Sequence, residues 1–269
     1  MKLLKSIGIF GVFYASQILS MIIVLVFKMS TDVDYFYELV DIMDTYSVAS
    51  MEYLNKVMEL VYVSLILSDV LLLVPFSIYI KRKKINVISK IDIRSVTILF
   101  AIGIVVNFIV SFVVDILPES SSFISSYNEL MTLTLADNKL LAILTIGILA
   151  PILEELIFRF ALINIFRQKG DRFAIIISAL FFGVAHLNLV QSTYAFLIGL
   201  FLGYIYVKTS NLLPTIVIHL TINTSSLIYE YFSQFNNAFN CIIALCFIYL
   251  VVIHLEGGIK LNEKCFKSQ

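Results

Sequence analysis

The chain has 269 residues, 60% hydrophobic and 14% charged, with a mean hydropathy of +0.96, far from the roughly 45–50% apolar and 25% charged composition of a water-soluble domain. Its 22 Phe, 14 Tyr and zero formal net charge exclude intrinsic disorder. The 19 basic residues balance the 19 acidic ones with no basic stripe among aromatics, which excludes nucleic acid as a partner and leaves the lipid bilayer as the solvent.

A helix needs about 20 apolar residues to cross a hydrocarbon core of roughly 30 Å. Eight such runs follow in chain order: Ile7 to Phe27, Met58 to Ile80, Ser95 to Ile116, Leu140 to Phe166, Phe173 to Leu189, Ser192 to Val207, Thr215 to Phe232 and Phe239 to His254. The first follows Lys2 and Lys5 and imitates a signal peptide, but its length suits a span and no small-residue cleavage site follows, so it reads as uncleaved. The fifth, sixth and eighth runs are short.

Loop charges give an independent check, because Lys and Arg accumulate on the cytoplasmic side. With the N-terminus inside, 15 of the 19 basic residues fall in cytoplasmic segments. Only Lys28, Lys56 and Lys139 lie outside, and Arg159 lies within a span. The expectation is an all-α, polytopic membrane bundle of about eight helices with both termini cytoplasmic. The acidic or Ser-rich segments Lys28 to Lys56 and Leu117 to Lys139 read as solvated loops or surface helices. Cys241, Cys246 and Cys265 form no CxxC, so neither a disulfide framework nor a zinc site of that kind is signalled, and the tail beginning at Cys265 is not itself a prenylation box.

Ionisable groups are costly in hydrocarbon and usually face the bundle interior. The fourth run holds Pro151-Ile-Leu-Glu-Glu-Leu-Ile-Phe-Arg159. Residues four apart share a helical face, so Glu155 pairs with Arg159, which holds the carboxylate ionised and fixes its rotamer, while Glu154 points elsewhere. Pro151 should bend the helix just before the carboxylates and open space there. The fifth run carries Phe181-Phe-Gly-Val-Ala-His186, where Gly183 and Ala185 allow close helix approach beside the imidazole. The seventh places His219 and Asn223 on one face, and the second holds Asp69 beside Ser68, read as a structural hydrogen-bond partner. Singly, each has a dull explanation in interhelical hydrogen bonding.

Together they form an inventory for hydrolysing a peptide bond with water alone. Burial tunes Glu154 toward a general base, His186 hydrogen-bonds the same water from another helix, and His219 with Asn223 supplies donors for the oxyanion. No His-Glu-x-x-His, Gly-x-Gly-Asp or Gly-x-Ser-x-Gly occurs, which disfavours the zinc, aspartyl and serine alternatives. A zinc ion held by Glu154, His186 and His219 is chemically feasible but leaves Asn223 without a role, so no metal or cofactor is assigned.

Glu154-Glu155-x-x-x-Arg159, Phe182-x-x-x-His186 and His219-x-x-x-Asn223, in that order, resemble the type II CAAX-protease and bacteriocin-processing family, also called Abi. The resemblance implies an intramembrane glutamate endopeptidase open to the cytosol, with Glu154 as base, His186 as its partner in water activation, His219 and Asn223 as oxyanion hole, and Glu155 and Arg159 as orienting residues. The substrate would be a peptide precursor or membrane-associated protein. The chain then divides into helices one to three with two exterior loops (1–138), a catalytic core (139–232), and a last helix with a cytoplasmic tail (233–269). Two other classes remain open: a non-enzymatic bacteriocin-immunity factor or membrane scaffold, and a solute transporter, which would require internal repeats that are not seen. Nothing in the sequence sets the oligomeric state.

Overall fold

A computed structural model describes residues 2–32, 51–82, 84–115 and 138–255, together with 34, 35, 37 and 131. The described residues form an all-helical bundle: α1 (Lys2–Thr31), α2 (Met51–Arg82), α3 (Ile93–Asp115), a composite α4 (Lys139–Lys169), α5 (Asp171–Val184), α6 (Leu189–Thr209), α7 (Leu212–Tyr231) and α8 (Asn236–Leu255). Most of both exterior segments and the tail with Cys265 lie outside the described residues.

Seven of these helices are long and apolar enough to cross a membrane, and α5 is the exception. The run Phe173 to Leu189 is not one continuous span. Its helix ends at Val184 after 14 residues, or about 21 Å at 1.5 Å per residue. Two local features stop it. Leu187 takes a left-handed conformation (φ 54°), and Asn188 caps the next helix by accepting from the N–H groups of Val190 and Gln191 at 3.0 and 3.2 Å. The resulting tight turn carries His186.

Small residues bring α5 against α6. A Cβ built on Gly183 would lie 2.7 Å from the Ser192 carbonyl oxygen, and one on Gly199 would lie 3.0 Å from Ala179 Cα. Such close backbone approach supplies packing that hydrophobicity cannot supply in lipid. On the far side of the core, a Cβ at Gly103 of α3 would meet Thr221 Cβ of α7 at 2.6 Å.

The start of α7 is anchored by a fully buried Asn211. Its carboxamide accepts from Leu213 N–H (3.1 Å) and Ser89 N–H (3.0 Å) and donates to the Ser89 carbonyl (3.1 Å). This ties the α2–α3 connection to the helix that carries His219. At the other end of that connection Asp92 caps α3, accepting from Ser95 N–H and Oγ–H at 2.8 and 3.1 Å, and these bonds hold its carboxyl below the usual carboxylate range.

Candidate active site

The carboxylates sit at the most irregular part of the bundle. α4 contains two π-helical segments, Ile143–Leu149 and Glu155–Ile163, on either side of Pro151. In the first, the Ala150 N–H bonds to the Thr145 carbonyl five residues back. Continuing that register would ask residue 151 to donate to Ile146, and Pro151 has no N–H to give. The Ile146 carbonyl is bonded instead by Asn223 Nδ2 of α7 at 2.9 Å. A similar cross-helix bond follows in the second π segment, where Ser178 Oγ of α5 donates to the Phe158 carbonyl at 2.6 Å. The space expected from Pro151 is a widened helix whose carbonyls bind neighbouring helices.

Glu155 and Arg159 are both 0% exposed, with the guanidinium Nε 3.3 Å from Glu155 Oε2. This is the pair that helical spacing suggests. The same carboxylate also reaches α7: its Oε1 lies 2.9 Å from His219 Nδ1. That contact places the other ring nitrogen, Nε2, 3.5 Å from Oε2 of Glu154. Glu154 is the more accessible carboxylate, its side chain 18% exposed against 0% for Glu155. Adjacent glutamates therefore grip opposite edges of one imidazole, one from the dry interior and one from the side that water reaches.

Arg159 makes no aligned hydrogen bond among the described residues. Its guanidinium carbon lies 4.6 Å from the centroid of Phe182, stacked on the ring face. The same ring meets His186 and His219 edge-on, with centroids 5.1 and 5.6 Å away. Phe182 thus contacts both imidazoles and sits on the cation that pairs with Glu155. His186, half-buried, shares 2.9 Å between Nδ1 and the Phe182 carbonyl. Its Nδ1–H is the donor there, which leaves Nε2 to accept. No hydrogen bond joins His186 to either glutamate among the described residues; Phe182 is the side chain that touches both imidazoles.

One residue escaped sequence reasoning. Tyr14 of α1 donates its hydroxyl to the Ala185 carbonyl at 2.7 Å, across 171 positions of sequence. Ala185 is the C-cap of α5, so Tyr14 satisfies one of the helix-end carbonyls beside His186. A tyrosine in an apolar run resembles any interfacial aromatic, and only its polar neighbour Gln17, one turn on, hinted at an inward face.

Among the described residues no three His, Cys, Asp or Glu side chains gather as a ligand set. The chemistry on hand is two carboxylates, two imidazoles and a carboxamide, contributed by α4, the α5–α6 turn and α7.

Residues 136–225 match the family model described as type II CAAX prenyl endopeptidase Rce1-like, a family of peptide-bond hydrolases. The segment holds all three motifs, from Glu154 to Asn223. No curated protein and no solved structure matches the chain.

Proposed function

We propose that this chain is an intramembrane endopeptidase that hydrolyses a peptide bond with activated water. The observation that carries the reading is the grip on His219: Nδ1 on Glu155 at 2.9 Å and Nε2 facing Glu154 at 3.5 Å. The family match over residues 136–225 supports it.

The steps follow from the groups present. Glu154 takes a proton from water, and the resulting hydroxide adds to the scissile carbonyl carbon. His186, with Nδ1 committed to the Phe182 carbonyl, offers Nε2 to the same water. The developing oxyanion is met by His219 Nε2–H and by the second N–H of Asn223, the first being held by Ile146. One such donor is typically worth about 3–4 kcal/mol of barrier. The C–N bond then breaks and the proton held by Glu154 passes to the leaving amine, so the carboxylate is regenerated.

The substrate class that fits is a peptide precursor or membrane-associated protein. Access from the cytoplasmic side is supported by the basic residues at the ends of the motif helices, Arg167, Lys169, Arg172 and Lys208, on the positive-inside rule. The test is peptide cleavage by purified protein in detergent, comparing wild type with Glu154→Gln, which keeps the shape and removes the base. Loss of cleavage by at least about 100-fold is the expected result. Undiminished cleavage ends the proposal.

A further inference from the structure

Asp69 of α2 is 4% exposed, and among the described residues none hydrogen-bonds or ion-pairs its carboxyl. Its neighbour Ser68 is engaged with Ser16 of α1 at 2.9 Å, so the contact that joins the two helices here bypasses the aspartate. A carboxyl group buried in a span without a partner costs several kcal/mol, and a purely structural residue would be expected to have found one.

What Asp69 does face is a cavity of about 50 Å³. Glu154 lines the same cavity from α4, with Thr145 from the first π segment and Gln17 from α1, while Phe13 and Leu153 supply apolar wall. A water needs roughly 10–15 Å³ by this measure and two to four polar partners, so the space suits about three to five waters. Two carboxyl groups, a carboxamide and a hydroxyl provide the partners. Thr145 already donates its proton to the Leu141 carbonyl at 2.7 Å, which leaves its lone pairs turned to accept.

We propose that this cavity is a water chamber serving Glu154, with Asp69 as the side chain that holds water in it. The inference deepens the hydrolase reading, on which its link to catalysis rests. Each peptide bond cleaved consumes one water in surroundings that lipid keeps dry, and the chamber stores that water against the base. Asp69 and Gln17 stand on helices outside the matched segment, so two of the four polar groups that line the store come from the part of the chain that the family motifs do not cover, facing Thr145 and Glu154 from within it.

The experiment is X-ray radiolysis of the full-length protein in nanodiscs, in which bound water yields hydroxyl radicals in place and oxidises the side chains beside it. Phe13, Leu65 and Leu153 should be labelled in wild type and equally in Glu154→Gln, and labelling should fall at least about fivefold in Asp69→Leu. Unlabelled walls in wild type, or unchanged labelling in Asp69→Leu, overturn the chamber. Kinetics supply the second arm. Asp69→Asn, which still bonds water, should stay within about fivefold of wild-type kcat, whereas Asp69→Leu should lose about 100-fold with KM nearly unchanged. Equal loss in both variants, tracking folded yield, would make Asp69 a structural residue and overturn the proposal. Normal labelling with no cleavage by wild type would uphold the chamber and sink the endopeptidase reading instead.

Discussion

His219 Nδ1 and Glu155 Oε1 lie 2.9 Å apart with both side chains essentially sealed from solvent. This contact makes Glu155 more than a counter-ion for Arg159. It fixes which ring nitrogen faces Glu154.

Glu155→Gln should separate these two duties. The amide oxygen can still accept from His219, but the negative charge beside the ring is gone. Arg159 loses its counter-ion in this variant as in Glu155→Ala, and breaking such a buried pair costs about 3–5 kcal/mol, but the amide keeps the side chain's volume and its bond to His219, so folded yield should fall less than in Glu155→Ala. Cleavage by Glu155→Gln should nonetheless drop about 100-fold. His219→Ala should spare folded yield, since Glu155 keeps Arg159 at 3.3 Å. Size-exclusion recovery and peptide cleavage, measured on the same preparations, check both halves. A Glu155→Gln variant with full activity would show that the charge on Glu155 is immaterial.

The bond from Asn223 to the Ile146 carbonyl invites a double-mutant cycle. Asn223→Ala leaves that carbonyl without its donor, at about 1–3 kcal/mol. Pro151→Ala supplies the missing backbone N–H at the position the π register needs. The double variant should therefore be more stable, by about 1 kcal/mol, than the sum of the two single losses. Unfolding in detergent, followed by helical signal, measures it. Additivity within about 0.3–0.5 kcal/mol would disconnect proline from asparagine.

These residues show how far the sequence could be read. Spacing of four in a helix was enough to pair Glu155 with Arg159 and to set His219 beside Asn223 on α7, because both relations are local. That Glu155 also binds His219, 64 positions away, is tertiary and has no periodicity to announce it. Pro151 announced a disturbance in α4, but not that it would be accommodated as π turns whose carbonyls bond other helices. The fifth run is longer than its helix because hydropathy continues through Leu187 and Leu189 while the backbone turns at Leu187, and a leucine in the left-handed region carries no sequence signal. The isolation of Asp69 in the second run suggests a hydrogen-bonding strut, whereas its place on a cavity shared with Glu154 is tertiary and has no sequence signal.

The water-only mechanism makes a direct statement about metal. Cleavage should be unchanged after extended treatment with a strong chelator and should gain nothing from added zinc. The measurement is initial rate before and after chelation, with metal content of the protein determined in parallel. Loss on chelation with recovery on zinc would replace Glu154 as the base by a metal-bound hydroxide.

Close packing at Gly183 should couple the α5–α6 hairpin to the chemistry. A methyl group there would stand 2.7 Å from the Ser192 carbonyl oxygen and 3.3 Å from Phe196 Cβ, so in Gly183→Ala the backbones of α5 and α6 must separate. Overpacking of this kind costs about 1–3 kcal/mol. The displacement falls one turn before His186, whose Nδ1 is held by the Phe182 carbonyl next to the substituted position. Activity should therefore fall by more than the loss of folded protein explains, with kcat carrying the excess. Gly11→Ala is the matched control, because a Cβ on that glycine of α1 meets nothing within 4 Å. It should be neutral or stabilising by up to about 1 kcal/mol, since alanine is the better helix former. Thermal midpoints and single-turnover cleavage of the two variants decide the matter. If Gly183→Ala matches Gly11→Ala in both, the hairpin contact does not position the imidazole.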